Sequence, residues 1–395
     1  MKSTLSVFSA KAATRATKTA ALFLGITVLA AAPTFAAKSQ PTAEAAALIE
    51  TLGLRAAKKP MAKHPQWKPK RVIAMMIPAM GIDSPDYEKA LRKAAGDVEL
   101  VIDRSGGFIP SAELLEGADA VIGICAAPTL KQAGPQLRWI HHYFVGMDYC
   151  TGYSDDQLRD MVFTNNKRLS GPAIAEHTIA MMLSLSRGLP AYHSAQTTNT
   201  WARKPGSYMN FGELSGKTML VVGLGGIGTQ IALRAHGLGM KVIATRNSSR
   251  SGPDYVEYVG LADELTTLAA KADVIVNALP LTADTTNLFD KAFFEKTKKG
   301  AMFLSVGRGK STITADLIAA LESGQLFGAG LDVTDPEPLP KESPLWQMEN
   351  VIITPHISAA GFDSAKRSMI IAAENLRRYV AGEAMLNVVD LERGY

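Results

Sequence analysis

Met219-Leu220-Val221-Val222-Gly223-Leu224-Gly225-Gly226-Ile227-Gly228 is the stretch on which the reading of this chain turns. A short apolar strand runs straight into GxGxxG, and a helical run, Thr229 to Leu238, follows at once. That order suits a dinucleotide pyrophosphate: Gly223 for the tight turn, Gly225 for close backbone approach to the phosphates, Gly228 for close packing of helix on strand. Backbone N–H groups at the helix start, those of Gly226 and Ile227 among them, then face the anion. GxGxxG alone is a weak signal. Its strand before, its helix after and a second strand at Lys241–Thr245 make it a strong one.

The end of that second strand reports on the dinucleotide. An NAD site places an acidic side chain about 20 residues past the glycines, on the ribose 2′-OH. Here that place falls in Thr245-Arg246-Asn247-Ser248-Ser249-Arg250. Arginine cannot accept from a hydroxyl but can bind a 2′-phosphate, with serine hydroxyls and Arg250 close by. The reading is NADP, with NAD as the alternative if Arg246 is only a solvated strand-end cation.

The chain has 395 residues, enough for two domains with cores of their own, and 47% of it is hydrophobic, ordinary for a globular protein. A formal charge of +5, much of it near the N-terminus, gives no basic run with interleaved aromatics, so nucleic acid is not an expected partner. The histidines have no metal-ligand spacing. Cys125 and Cys150 form neither a metal cluster nor a disulfide framework; they read as two partly buried free thiols, with a single disulfide as the alternative.

Lys2, Lys11, Arg15 and Lys18 precede the apolar run Ala20–Ala32, too short for a comfortable membrane span, and Thr34-Phe35-Ala36-Ala37 supplies small residues for cleavage. Residues 1–36 therefore read as a secretory signal peptide, giving a periplasmic or secreted protein with no membrane span after cleavage. An uncleaved anchor is the rival, and without an Arg-Arg pair the twin-arginine route has no support. The leader sits awkwardly beside the cofactor, because the periplasm is not an obvious source of NADPH.

Residues 37–68 read as a helical or loose lead-in. Strands at Arg71–Ile77, Glu99–Ile102, Ala120–Ile124, Trp139-Ile140 and Val162-Phe163 alternate with helices; a long amphipathic helix, Gly171–Arg187, comes next. Ala191–Gly216 reads as a loop whose Trp201, Tyr208 and Phe211 suggest an oligomer contact. A second alternation follows, with strands at Met219–Val222, Lys241–Thr245, Val274–Asn277, Met302–Ser305, Gly328–Val333 and Val351–Thr354, and a closing helix at Ser364–Ala381. The pattern is α/β, with two doubly wound parallel sheets.

Three motifs fall just past the carboxyl ends of late strands, where open α/β sheets bind ligands: Val306-Gly307-Arg308-Gly309, Leu331-Asp332 through Glu337-Pro338-Leu339, and Thr354-Pro355-His356-Ile357-Ser358. With Leu279-Pro280-Leu281-Thr282, Ala175-Glu176-His177 and Asn387-Val388-Val389-Asp390, they make the chain from about residue 70 onward resemble the D-isomer-specific 2-hydroxyacid dehydrogenases, which include glyoxylate/hydroxypyruvate reductases. The resemblance implies a homodimer whose flavodoxin-like substrate domain (69–168 and 363–395) is split by a central Rossmann domain (169–362). Leu279, Pro280, Val306 and Gly307 would then line the cofactor crevice, and Asp332 would reach the nicotinamide carboxamide.

The residue types fit a 2-oxo acid. Arg308 offers a fork of donors for carboxylate and carbonyl oxygens. His356 can give a proton to the developing alkoxide, and Glu337 would orient the imidazole and favour its charged form. Asp335 is the tempting wrong carboxylate; the family's directly precedes Pro-Leu, as Glu337 does. Backbone N–H groups in Ile124-Cys125-Ala126-Ala127 are expected on the substrate carboxylate. That loop lacks the arginine of phosphoglycerate dehydrogenases, which counts against a phosphorylated substrate. Phe144 would bound the pocket; His177 is expected to be structural, and His141 and His142 secondary candidates for substrate contact. Ser305 stands where the family often has Asn. The other reading is a non-enzymatic dinucleotide-sensing corepressor of the same fold; a formate-dehydrogenase-like enzyme would need an amide at Glu337.

Overall fold

The computed structural model describes residues 40–390, apart from Tyr149, Tyr153, residues 204–210 and Ser248. The proposed signal peptide, Tyr208 and Ser248 therefore lie outside the described residues. Two parallel sheets organise the remainder. The first carries β1 (Arg71–Met75), β2 (Glu99–Asp103), β3 (Ala120–Gly123), β4 (Trp139–His142) and β5 (Val162–Asn165), in the order β2-β1-β3-β4-β5. The second carries β6 (Thr218–Val222), β7 (Lys241–Thr245), β8 (Tyr258–Gly260), β9 (Val274–Asn277), β10 (Ala301–Ser305), β11 (Leu326–Leu331) and β12 (Val351–Ile353). Its order is β12-β11-β10-β9-β6-β7-β8. These are flavodoxin-like and Rossmann orders, each with a reversal point where a ligand crevice opens.

The strands read as unbroken apolar runs because both faces of each sheet are covered. In the seven-stranded sheet Met219, Val221, Val274, Val276 and Leu304 face one core with Ile174, Ile231 and Ala235. Their neighbours Leu220, Val222, Ile275 and Phe303 face another with Leu317 and Phe294. In the smaller sheet Val72, Ala120, Ile122 and Trp139 face one side, while Ile73, Val121, Ile140 and Phe163 face the other.

The closing helix, Phe362–Val380, returns to the first sheet: Ala372, Leu376 and Tyr379 enter its core, and Tyr379 Oη donates to Asp119 Oδ1 at 2.7 Å. The lead-in is ordered. Its helix Ala43–Thr51 is capped by Thr42, and Ala57 N–H donates to Met385 O at 2.8 Å.

Two elements depart from the sequence reading. Leu189–Thr197 is helical rather than loop: Gly188, at φ 64°, ends the preceding helix, and Pro190 begins the next. Strand β8 leaves no signal in the sequence, because three residues at a sheet edge carry no periodicity. In the aromatic loop Trp201 is 85% exposed whereas Phe211 is buried.

Candidate active site

The glycine loop leaves β6 at the reversal point, where β6 pairs with β7 on one side and β9 on the other. A Cβ on Gly228 would overlap the Gly223 carbonyl, so only glycine lets the helix Gly226–Gly237 start this close to the strand. Around Gly225 the space is open. Leu279 and Pro280 follow β9, where Leu279 N–H donates to Asn277 Oδ1 at 3.2 Å and the Pro280 carbonyl accepts from Thr285 Oγ1 at 2.7 Å. Val306 N–H donates to Asn277 O at 3.0 Å and brings Gly307 alongside.

Cations gather here. Arg246 is half-buried at the end of β7, its Nη1 donating to Ser251 O at 2.7 Å, and Asn247 beside it is exposed. The Arg168 side chain lies against Gly226; burial first, then Arg55 and Arg246, push its pKa below the ordinary value. An open glycine loop at a helix N-terminus with arginines nearby fits a dinucleotide phosphate. Arg250 is not part of this group. Its guanidinium pairs with Glu264 at 2.6 Å and donates to Tyr258 Oη at 2.9 Å, which holds Glu264 down to about 2.

Arg308, Glu337 and His356 stand on the loops after β10, β11 and β12, neighbours in the sheet. His356 Nδ1 lies 3.0 Å from Glu337 Oε2, and Glu337 Oε1 accepts from Thr334 N–H at 3.0 Å. A carboxylate on Nδ1 leaves Nε2 as the nitrogen that exchanges a proton with a ligand. His356 has φ 53°, rare for a side-chain-bearing residue, and its N–H donates to Asp332 O at 2.8 Å. The arginine loop abuts the glutamate loop, Thr314 Oγ1 donating to Asp335 O at 2.8 Å. Asn277 Nδ2 donates to both Ser305 Oγ, at 3.0 Å, and Ser311 Oγ, at 2.7 Å. Ser311 Oγ in turn donates to the Arg308 carbonyl at 2.6 Å.

Asp332, expected at the nicotinamide carboxamide, holds the histidine loop with its buried carboxylate, accepting from Thr354 Oγ1 at 2.7 Å, Ile357 N–H at 2.9 Å and Ser358 N–H at 3.1 Å. His177, structural as expected, lies 2.9 Å from Thr354 Oγ1 and supports the same loop.

The substrate-side loop holds a correction. Cys125 and Cys150 are joined in a disulfide, not free. Spacing alone could not show this, because the pairing depends on β3 and β4 lying side by side. The Cys125 N–H, expected on a substrate carboxylate, is instead donated to His142 Nδ1 at 2.9 Å; Ala126 and Ala127 remain as the backbone candidates. His141 and His142, secondary candidates for substrate contact, are fully buried. Burial lowers His141 to about 3 and His142 to about 4. Phe144 is partly exposed, edge-on to His142 with ring centroids 5.3 Å apart. Sequence reasoning missed Asp148, whose Oδ2 accepts from Arg308 Nε at 2.8 Å.

This geometry has counterparts among known proteins. Residues 179–358 match the family model described as D-isomer specific 2-hydroxyacid dehydrogenase, NAD binding domain. The glyoxylate reductase/hydroxypyruvate reductase of Mus musculus is 31% identical over 325 residues, which are 80% of this chain and 98% of the relative. A D-isomer specific 2-hydroxyacid dehydrogenase family protein from Aeromonas salmonicida superposes with a TM-score of 0.68 at 32% identity, over 81% of this chain and 99% of that one. The NADPH-dependent glyoxylate/hydroxypyruvate reductase of Sinorhizobium meliloti, in complex with NADP and sulfate, gives 0.66 at 27% identity, over 83% and 100%. With strand orders, glycine loop and the His–Glu pair already in place, the chain belongs to the D-isomer-specific 2-hydroxyacid dehydrogenase family of NAD(P)-dependent oxidoreductases.

Proposed function

We propose that the protein reduces a small, unphosphorylated 2-oxo acid of the glyoxylate or hydroxypyruvate kind with NADPH. The observation that carries this reading is the His356–Glu337 pair, 3.0 Å apart, beside the loop of Arg308 and on the same sheet edge as the glycine loop. When bound, the nicotinamide supplies or takes up the hydride. Arg308 would hold carboxylate and carbonyl oxygens and stabilise the charge that grows on the carbonyl oxygen. His356 would deliver the proton from Nε2, with Glu337 fixing the ring through Nδ1. A small substrate is supported by the loop Ile124–Ala127, which has no charged side chain for a phosphate.

Preference for NADPH is supported by Arg246 at the end of β7, where an NAD site would carry an acid, and by the NADP held in the Sinorhizobium meliloti relative. Export is supported by the leader and by the disulfide, a bond that persists in oxidising compartments. Exposed Trp201 and Leu189 support a homodimer. A panel of 2-oxo acids assayed with NADPH and NADH side by side tests the reading. Turnover of glyoxylate or hydroxypyruvate, faster with NADPH, is expected. Activity confined to phosphorylated acids, or none with any acid, would overturn it.

A further inference from the structure

The segment from His142 to Cys150 ties the substrate loop to the arginine. Strands β3 and β4 are adjacent, so the loops after them leave the sheet side by side. Two links join those loops. Cys125 is bonded to Cys150, and Cys125 N–H donates to His142 Nδ1 at 2.9 Å. Because Nδ1 accepts, the proton is on Nε2, which donates to Gly146 O at 3.1 Å. One neutral tautomer satisfies both bonds. Cys150 N–H closes the turn on Met147 O at 2.9 Å, and Asn165 Nδ2 holds Val145 O from β5 at 2.6 Å.

The far side of this turn meets Arg308. A Cβ on Gly146 would overlap the guanidinium, so the arginine lies directly on the turn backbone. Asp148 Oδ2 takes the Nε hydrogen at 2.8 Å, and Gly307 O takes one from Nη1 at 2.8 Å. Of the five guanidinium hydrogens, three are left, both Nη2 hydrogens among them. Asp148 thereby fixes which edge of the fork can meet a carboxylate or carbonyl oxygen.

We infer that the Cys125–Cys150 disulfide, with His142 and Asp148 as positioning residues, is a clasp that sets the substrate loop and the Arg308 guanidinium in fixed relation. The oxidised enzyme is then the form competent for 2-oxo acid binding. Opening the clasp takes a dithiol: two electrons and two protons pass to the S–S bond, giving two cysteine thiols, while the dithiol closes to its own disulfide. This rests on the role given to Arg308 under Proposed function.

The test compares the oxidised protein, the dithiothreitol-reduced protein and the Cys150→Ser and Asp148→Ala variants, varying glyoxylate and hydroxypyruvate at saturating NADPH. Opening the clasp or removing Asp148 is expected to raise KM by about ten-fold, the size of one lost charge-assisted bond, with a smaller change in kcat. NADPH affinity stays as it was, reoxidation restores KM, and Asp148→Asn, which can still accept from Nε, recovers part of the loss. Equal KM in both redox states overturns the inference. So does loss of NADPH binding together with turnover, which would make the bond one of global stability only. If the oxidised protein turns over no 2-oxo acid, the functional reading fails by itself, and hydrogen exchange decides the clasp. Reduction must then expose the Cys125 amide, and unchanged protection there overturns it.

Discussion

The ligand-facing ends of the two sheets are built on different principles. On the seven-stranded sheet, loops are held by buried side chains that accept from or donate to nearby backbone: Asp332 on Ile357 and Ser358, Asn277 on Leu279, Ser311 on Arg308. On the five-stranded sheet, the loops are held by a covalent bond and a buried neutral imidazole, and their turn ends on an arginine of the other sheet. On the proposed function, the first arrangement places chemistry and suits a rigid nucleotide crevice. The second places substrate and, by the clasp inference, can be opened by reduction. If that contrast is correct, damage to each side has its own signature.

The largest effect is expected on the chemical side. Arg308→Ala removes the donor proposed to meet the oxygen where charge develops, so kcat should fall by about 10²–10³ and KM rise as well. Steady-state kinetics on the variant checks it, and a change in KM alone would move Arg308 from chemistry to binding.

The disulfide comes next. Closing a loop of 25 residues restricts the unfolded chain by about 3–4 kcal/mol in the chain-entropy account. Urea unfolding of the reduced protein should show a loss of that order, followed by fluorescence and by loss of NADPH binding. A loss near zero would mean that the bond contributes geometry and little stability.

Acid should act on the same side. His141 and His142 are neutral in the folded protein down to about 3 and about 4, burial being the chief cause, whereas in the unfolded chain they take a proton near 6.5. The unfolded state therefore binds more protons between those values. Their contribution is complete above about pH 6.5 and is lost as pH falls toward 4. At pH 5 the loss is about 2 kcal/mol per histidine. Urea midpoints at pH 7.5 and pH 5 measure it, and His142→Asn should flatten part of the slope.

The smallest effect belongs to cofactor choice. Arg246→Asp should reverse a preference for NADPH of about ten-fold, since one charge-assisted bond to a 2′-phosphate is at stake and Arg250 is committed to Glu264. The ratio of kcat/KM for NADPH and NADH in wild type and variant reads this directly. Equal ratios would make Arg246 a surface charge.

The same contrast explains what could be read in advance. The glycine loop and the loops of Arg308, Glu337 and His356 are each contiguous in sequence and each follow an apolar strand, so residue type and local order are enough to place them at the strand ends. What escaped depends on partners far along the chain. Asp148 meets Arg308 across 160 residues, and the cysteines pair only because β3 and β4 are neighbours. Arg250 reads as available in the sequence because β8 leaves no signal there, and Tyr258, one of the side chains that engages it, sits on β8. The motif puts Asp332 just past β11 but does not say that its carboxylate holds the histidine loop.

The most direct test of the account is His356→Ala in the oxidised protein, with a 2-oxo acid and NADPH. General acid–base help is worth about 10²–10⁴-fold, so kcat should fall by that much while NADPH affinity is unchanged. Turnover at the wild-type rate would contradict the assignment of the His356–Glu337 pair as the proton-transfer machinery.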